Sequence, residues 1–155
     1  MAKGFIADAM TAYLAENGVT GAVVDLGGNI AILGYKDGKS SEFKVGIKEP
    51  FSETGEIAET VEAANASIVT SGVYERYFEI DGVRYHHILD GKTGYPADRG
   101  LLSATVIGPE GRSADCDALA TIVMLAGELK AEELMKRKPG YTLIVIREDG
   151  KVVEY

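Results

Sequence analysis

Asp117 and Thr121 carry the clearest chemical reading in this sequence. They stand four positions apart in a segment of helical character, so a carboxylate and a hydroxyl share one helix face, one turn from each other. Hard oxygens in that arrangement suit Mg2+, which usually completes its shell with water and substrate phosphate. A helix opening at Ser113 would add free backbone N–H groups that favour an anion. The same residues fit a plainer role. Asp115 and Asp117 would then complement the helix dipole in a first turn, and Thr121 would be an ordinary helix residue.

The two histidines, His86 and His87, lie in a segment that reads as a hairpin, because Asp81-Gly82 between alternating strands is a strong turn signal. With a two-residue turn, Ile80 faces Val83, Phe78 faces Tyr85 and Arg76 faces His87, all on one face. The apolar and aromatic members of that face are expected in the core, with Arg76 and His87 at its open end. The other face carries Glu79 against Arg84, Tyr77 against His86, and Ile88. It reads as solvated, with a cross-strand ion pair. His87 is thus expected at the core edge and His86 in solvent. For each histidine a structural role stands beside the chemical one.

Three loops add weaker signals. Asp90-Gly91-Lys92-Thr93-Gly94 could wrap an anion through backbone N–H groups, or simply connect. The Ser-Gly bend of Thr70-Ser71-Gly72 could let the backbone approach a ligand, or simply turn. Gly27-Gly28-Asn29 is open in the same way. No GxGxxG follows a strand and no GxxxxGK[ST] occurs, so Rossmann and P-loop sites are unsupported.

The elements that must position these residues can be read along the chain. Lys3 to Asn17 is expected to be a helix, with Phe5, Ile6, Met10, Tyr13 and Leu14 as an apolar stripe and Gly18 as a left-handed cap. It opens almost at Met1, which reads as a cut near a domain boundary. Strands are expected at Gly21 to Asp25, Asn29 to Tyr35, Phe43 to Ile47, Ile57 to Ala63 and Ser67 to Thr70. The Asp81-Gly82 hairpin joins Arg76–Ile80 to Val83–Ile88, and Asp90 to Gly100 is a loop. Leu102 to Ile107 is a strand. Ser113 caps a helix to about Ala126, and Glu128 to Lys138 forms another, ended by Pro139-Gly140. Tyr141 to Arg147 and Lys151 to Tyr155 close the chain as a hairpin around Asp149-Gly150. Antiparallel hairpins mixed with helices indicate an α+β fold.

A chain of 155 residues with 46% hydrophobic and 26% charged residues reads as one globular domain. A net charge of −8 disfavours general nucleic-acid binding, so any phosphate must be held by a local site. Cys116 is the single cysteine, which excludes an intrachain disulfide or a Cys-rich zinc site, and it reads as a buried core thiol. No apolar run approaches the ~20 residues of a membrane span. No export signal opens the chain, so as written it is expected to be cytoplasmic and without membrane contact.

These signals occur in an order that resembles the ApbE family. Ala2-Lys3-Gly4-Phe5, with Asp8 following, resembles its AKG(Y/F)xxD helix start. Val24-Asp25-Leu26-Gly27-Gly28-Asn29-Ile30 resembles its LGGN turn. Thr70-Ser71-Gly72-Val73-Tyr74-Glu75-Arg76-Tyr77-Phe78 resembles TSGxYERYF. Tyr85-His86-His87-Ile88-Leu89-Asp90-Gly91-Lys92-Thr93-Gly94 resembles YxHIxDPxTG, with Gly91 where the family usually has proline. Ala114-Asp115-Cys116-Asp117-Ala118-Leu119-Ala120-Thr121 resembles ADxDALAT. The resemblance covers essentially the whole chain. Family members are longer, and their preceding part supplies much of the flavin pocket and a metal-binding backbone carbonyl. This chain is accordingly expected to match the C-terminal half.

The resemblance implies a FAD:protein FMN transferase that uses Mg2+ to attach FMN from FAD to a threonine or serine of an acceptor flavoprotein, with AMP leaving. It implies Asp117 and Thr121 as metal ligands and His87 and Asp117 as catalytic residues. Lys3, Asp8, Ser71, Gly72, Arg76, His87 and Thr93 are the expected cofactor-binding set. Two alternatives stay open: a minimal FAD- or metal-binding protein without transferase activity, and a metal-dependent FAD pyrophosphatase. A homodimer is a further partner arrangement left open.

Overall fold

The computed structural model describes all residues from Met1 to Tyr155. Its centre is a six-stranded antiparallel sheet in the order β1-β2-β5-β8-β9-β10. These strands are β1 (Gly21–Asp25), β2 (Asn29–Gly34), β5 (Ala66–Gly72), β8 (Leu101–Pro109), β9 (Thr142–Arg147) and β10 (Val152–Glu154). Two hairpins stand apart from it, β3 (Phe43–Lys48) with β4 (Ile57–Ala63), and β6 (Tyr77–Ile80) with β7 (Val83–His86). The helices are α1 (Ala2–Glu16), α2 (Ser113–Ala126) and α3 (Glu128–Lys136). The α+β expectation holds, and no helix is long and apolar enough to cross a membrane.

The sheet is covered on both faces, which explains its continuous apolar runs. In β9, Leu143 and Val145 join Val69, Val106, Cys116, Leu119, Ala120 and Val123 under the helices. The alternate residues Ile144 and Ile146 pack on the other face with Ile47 of β3. In β5, Ile68 faces the β3–β4 hairpin with Val45 and Ala63, while Val69 faces α2. Side chains of period two thus build two cores from one strand.

The α1 helix forms as expected and gives way to Gly18 at φ 81°, but it faces the other way. Phe5 is 71% and Tyr13 66% exposed, and Met10 is exposed as well. The buried residues are Gly4, Ala7 and Thr11. The cause is the close approach to α2. A Cβ on Gly4 would lie 2.4 Å from Ser113 O, so only the smallest residues fit the seam. Leu14 alone of the expected stripe packs inward, against Ala7, Val24 and Ala31.

The β6–β7 hairpin has the expected register, with Tyr77 opposite His86, Phe78 opposite Tyr85, Glu79 opposite Arg84 and Ile80 opposite Val83. Its faces are exchanged. Phe78 is 59% exposed, and Ile80 and Val83 are open to solvent. Tyr77 meets Phe51 edge-on at 5.7 Å, and the Arg84 guanidinium lies 3.9 Å from the Phe51 ring centroid. The hairpin pairs with no other strand, so side-chain packing alone chose its inner face. Aromatic and guanidinium groups that stack on one another won over the aliphatic pair.

Candidate functional site

Six short segments converge on one cleft of about 360 Å3. The first turn of α1 brings Lys3, the β1–β2 turn brings Gly27, Gly28 and Asn29, and β5 brings Thr70, Ser71 and Gly72. Glu75 and Arg76 come from the approach to β6, His87 from the end of β7, and Asp117 and Thr121 from α2.

Each wall is held by a specific contact. The Gly27-Gly28 turn has φ of 72° and 75°, left-handed at both positions as a tight hairpin turn requires. Asp25 Oδ1 accepts a hydrogen bond from Gly27 N at 2.8 Å, and Lys3 Nζ donates to Gly27 O at 2.5 Å. A Cβ on Gly28 would come within 2.9 Å of Glu75 Oε1, so this glycine lets Glu75 close over the turn. On α2, Thr121 Oγ1 donates to Asp117 O at 3.0 Å and lies 3.3 Å from Ser71 Oγ. The Asp117 carboxylate is only 15% exposed and lies 2.7 Å from the Met1 amino group. Gly4 N also donates to Asp117 Oδ2 at 3.3 Å.

Those contacts bear on a metal. No group of three His, Cys, Asp or Glu side chains forms a metal cluster. What converges is one sheltered carboxylate and two hydroxyls. That set attracts a cation and offers only hard oxygens. It fits Mg2+ completed by water and phosphate and does not fit zinc, which takes histidine or cysteine ligands.

His87 lines the cleft, and its backbone N and ring Nδ1 each lie 3.2 Å from Arg76 O. A carbonyl can only accept, so Nδ1 carries a proton, and in the neutral ring the lone pair is on Nε2. His86 does not line the cleft. Its Nδ1 accepts from Ile88 N at 3.3 Å, and burial pushes its pKa below the ordinary imidazole value. The expected burial of the pair is therefore reversed, with His86 half-buried and His87 exposed. The Arg76–His87 juxtaposition read from the register is present.

Two expected cofactor residues lie elsewhere. The Asp8 carboxylate accepts hydrogen bonds from Ser113 N at 2.8 Å and Ala114 N at 3.0 Å. It caps α2 from α1, so it positions the helix that carries Asp117. Ser113 does not cap that helix; its Oγ donates instead to Ser67 Oγ at 3.0 Å. Thr93 does not line the cleft. Its Oγ1 accepts from Tyr95 N at 3.3 Å, within a loop pinned by the Arg99–Asp90 ion pair at 2.7 Å. Lys92 N donates to Asp90 Oδ1 at 2.8 Å, so this loop already spends an N–H on its own carboxylate. Glu75 lines the cleft without having been singled out from the sequence, and Asn29 lines it having entered only as part of the Gly27-Gly28-Asn29 loop. The only signal for them was their place beside Arg76 and beside the Gly-Gly turn.

The ApbE family model matches residues 1–145. A FAD:protein FMN transferase of Treponema pallidum is 42% identical over 98% of this chain and 43% of its own length. One of Klebsiella pneumoniae is 37% identical over 99% of this chain and 46% of its own. Among solved structures, the ApbE protein of Thermotoga maritima superposes with a TM-score of 0.84 at 35% identity, over 98% of this chain and 48% of its own. The flavin transferase ApbE of Vibrio cholerae gives 0.78 at 31%, over 100% and 48%. The chain spans less than half the length of each of these relatives.

Proposed function

The chain belongs to the ApbE family, and from that premise we propose that its cleft serves Mg2+-dependent transfer of FMN from FAD to a threonine or serine of an acceptor flavoprotein. The observation that carries this reading is the convergence of Lys3, Ser71, Arg76, His87, Asp117 and Thr121 on one cleft from separate segments. Asp117 and Thr121 would hold Mg2+, whose charge, when bound, offsets negative charge developing on the phosphate oxygens. Lys3 and Arg76 add fixed positive charge beside the same phosphates. His87 is placed to take the hydroxyl proton at Nε2, since Arg76 O keeps Nδ1 protonated and imidazole suits proton transfer near neutrality. The hydroxyl oxygen bonds to the FMN phosphorus, the bridging P–O bond breaks, and AMP departs with its electron pair.

The test is to incubate the chain with FAD, Mg2+ and an acceptor flavoprotein and to examine the acceptor by mass spectrometry. The expected result is an FMN adduct on a hydroxyl residue, with AMP in the supernatant and neither product in EDTA. AMP without an adduct would make the chain a pyrophosphatase. Neither product under saturating FAD would overturn the reading.

A further inference from the structure

Asn29 opens β2 directly opposite Val69 of β5. Residues opposite each other point to one side of a sheet, as do residues two apart along a strand. Asn29, Val69 and Ser71 therefore share the helix-covered face, the one on which Ser71 meets Thr121. Asn29 is 1% exposed, yet neither its Nδ2 nor its Oδ1 has a hydrogen-bond partner. An amide offers two donors and an acceptor, and leaving them unmet inside a protein is costly. Neighbouring hydroxyls on β5 are satisfied: Ser67 Oγ donates to Pro109 O at 3.0 Å and Thr70 Oγ1 lies 2.8 Å from Thr105 Oγ1. Ser103 Oγ also lacks a partner, but Ser103 does not line the cleft.

We propose that Asn29 is a ligand-binding residue of the cleft, its amide reserved for a phosphate together with that phosphate's hydrated cation. A bare phosphate offers only acceptors, which leaves Oδ1 unmet, and a hydrated cation offers only donors, which leaves Nδ2 unmet. A phosphate carrying a hydrated Mg2+ presents both kinds of group within a few ångströms. The surroundings fit that ligand, with cations at Lys3 and Arg76 and hard oxygens at Ser71, Asp117 and Thr121. This inference rests on the flavin-transfer reading and assigns the metal–diphosphate portion of FAD to the wall that Asn29 forms.

The test is Asn29→Leu, which keeps the branching and number of side-chain heavy atoms and removes the polar ones, with the smaller Asn29→Ala as a second variant. Two quantities are measured: the thermal midpoint of the free protein, and the FAD dissociation constant in Mg2+ by calorimetry. An amide held for a ligand strains the free protein, so the free Asn29→Leu protein should melt about 2–8 °C higher. The same change should weaken FAD binding by roughly tenfold or more. A lower midpoint in both variants would mean that the amide supports the fold, and that overturns the inference. Unchanged FAD affinity in both variants overturns it as well, while leaving the functional reading intact. Absence of FAD binding by the unsubstituted chain overturns both.

Discussion

His86 and His87 are neighbours in sequence with separate work, and single substitutions should divide them. His87→Ala removes a cleft residue that supports little packing, so transfer should fall by about 10²–10⁴-fold with the thermal midpoint unchanged. His86→Ala removes the acceptor of Ile88 N and should cost about 1 kcal/mol of stability. Burial lowers the His86 pKa from 6.5 in the folded protein. The unfolded chain therefore binds the proton more readily. Stability from this group is complete above pH 6.5 and is lost as pH falls through the folded value. Urea titrations of both variants between pH 5 and 8 check the assignment, and a stability loss confined to His87→Ala would reverse it. At Asp117 the expectation concerns chemistry alone. Asp117→Ala should abolish Mg2+-dependent turnover while circular dichroism stays native, because the side chain holds only Gly4 N and the Met1 amino group. Metal-dependent FAD hydrolysis surviving in that variant would remove Asp117 from the metal site.

At the scale of the element, α1 reaches across the start of α2 and sets its position. Asp8 satisfies two of the free N–H groups that open α2, so Asp8→Ala should cost about 1–2 kcal/mol, as for other lost caps. Gly4→Ala should also destabilise, since its new methyl meets backbone at Ser113 that cannot move aside cheaply. Phe5→Ser and Tyr13→Ser should stay within about 0.5 kcal/mol, because both side chains point outward. Chemical denaturation of the four variants gives the ranking. A Phe5→Ser loss larger than that of Asp8→Ala would mean that α1 is rotated about its axis. The same geometry explains why a helix with large outward apolar residues has its buried side made of Gly4, Ala7 and Thr11.

For the molecule as a whole, the cleft is short of what a flavin ring needs. Its apolar lining is Met1, Ala2 and Val69, with no aromatic residue. Cofactor affinity comes largely from burying ring surface, whereas the groups present here suit phosphates. FAD should therefore bind this chain weakly, with a dissociation constant above about 10 μM, or less than ~7 kcal/mol. Riboflavin, which has no phosphate, should bind more weakly still. Calorimetry with and without Mg2+ measures both. Sub-micromolar binding would indicate a pocket completed by a second copy of the chain, and a midpoint that rises with protein concentration would accompany it.

Local chemistry made much of this protein legible from its sequence. Turn signals such as Asp81-Gly82 and Gly27-Gly28 act over a few residues, and the register they imply is present. Helix spacing placed Asp117 and Thr121 on one face, and both residues line the cleft. The order of the motifs was enough to indicate the family. Which face of an amphipathic element turns inward was decided elsewhere. Apolar content alone pointed Phe5 and Phe78 to the core. A Gly4–Ser113 approach and a Phe51–Arg84 stack, each between residues far apart in sequence, settled the opposite. Asp8 likewise reads as a ligand residue in its motif and becomes a cap only because α2, more than a hundred residues later, ends its N–H groups against it. Spacing along a chain encodes the periodic contacts within an element. Contacts between elements depend on shape, close approach and unmet hydrogen bonds, and these exist only once the chain has folded.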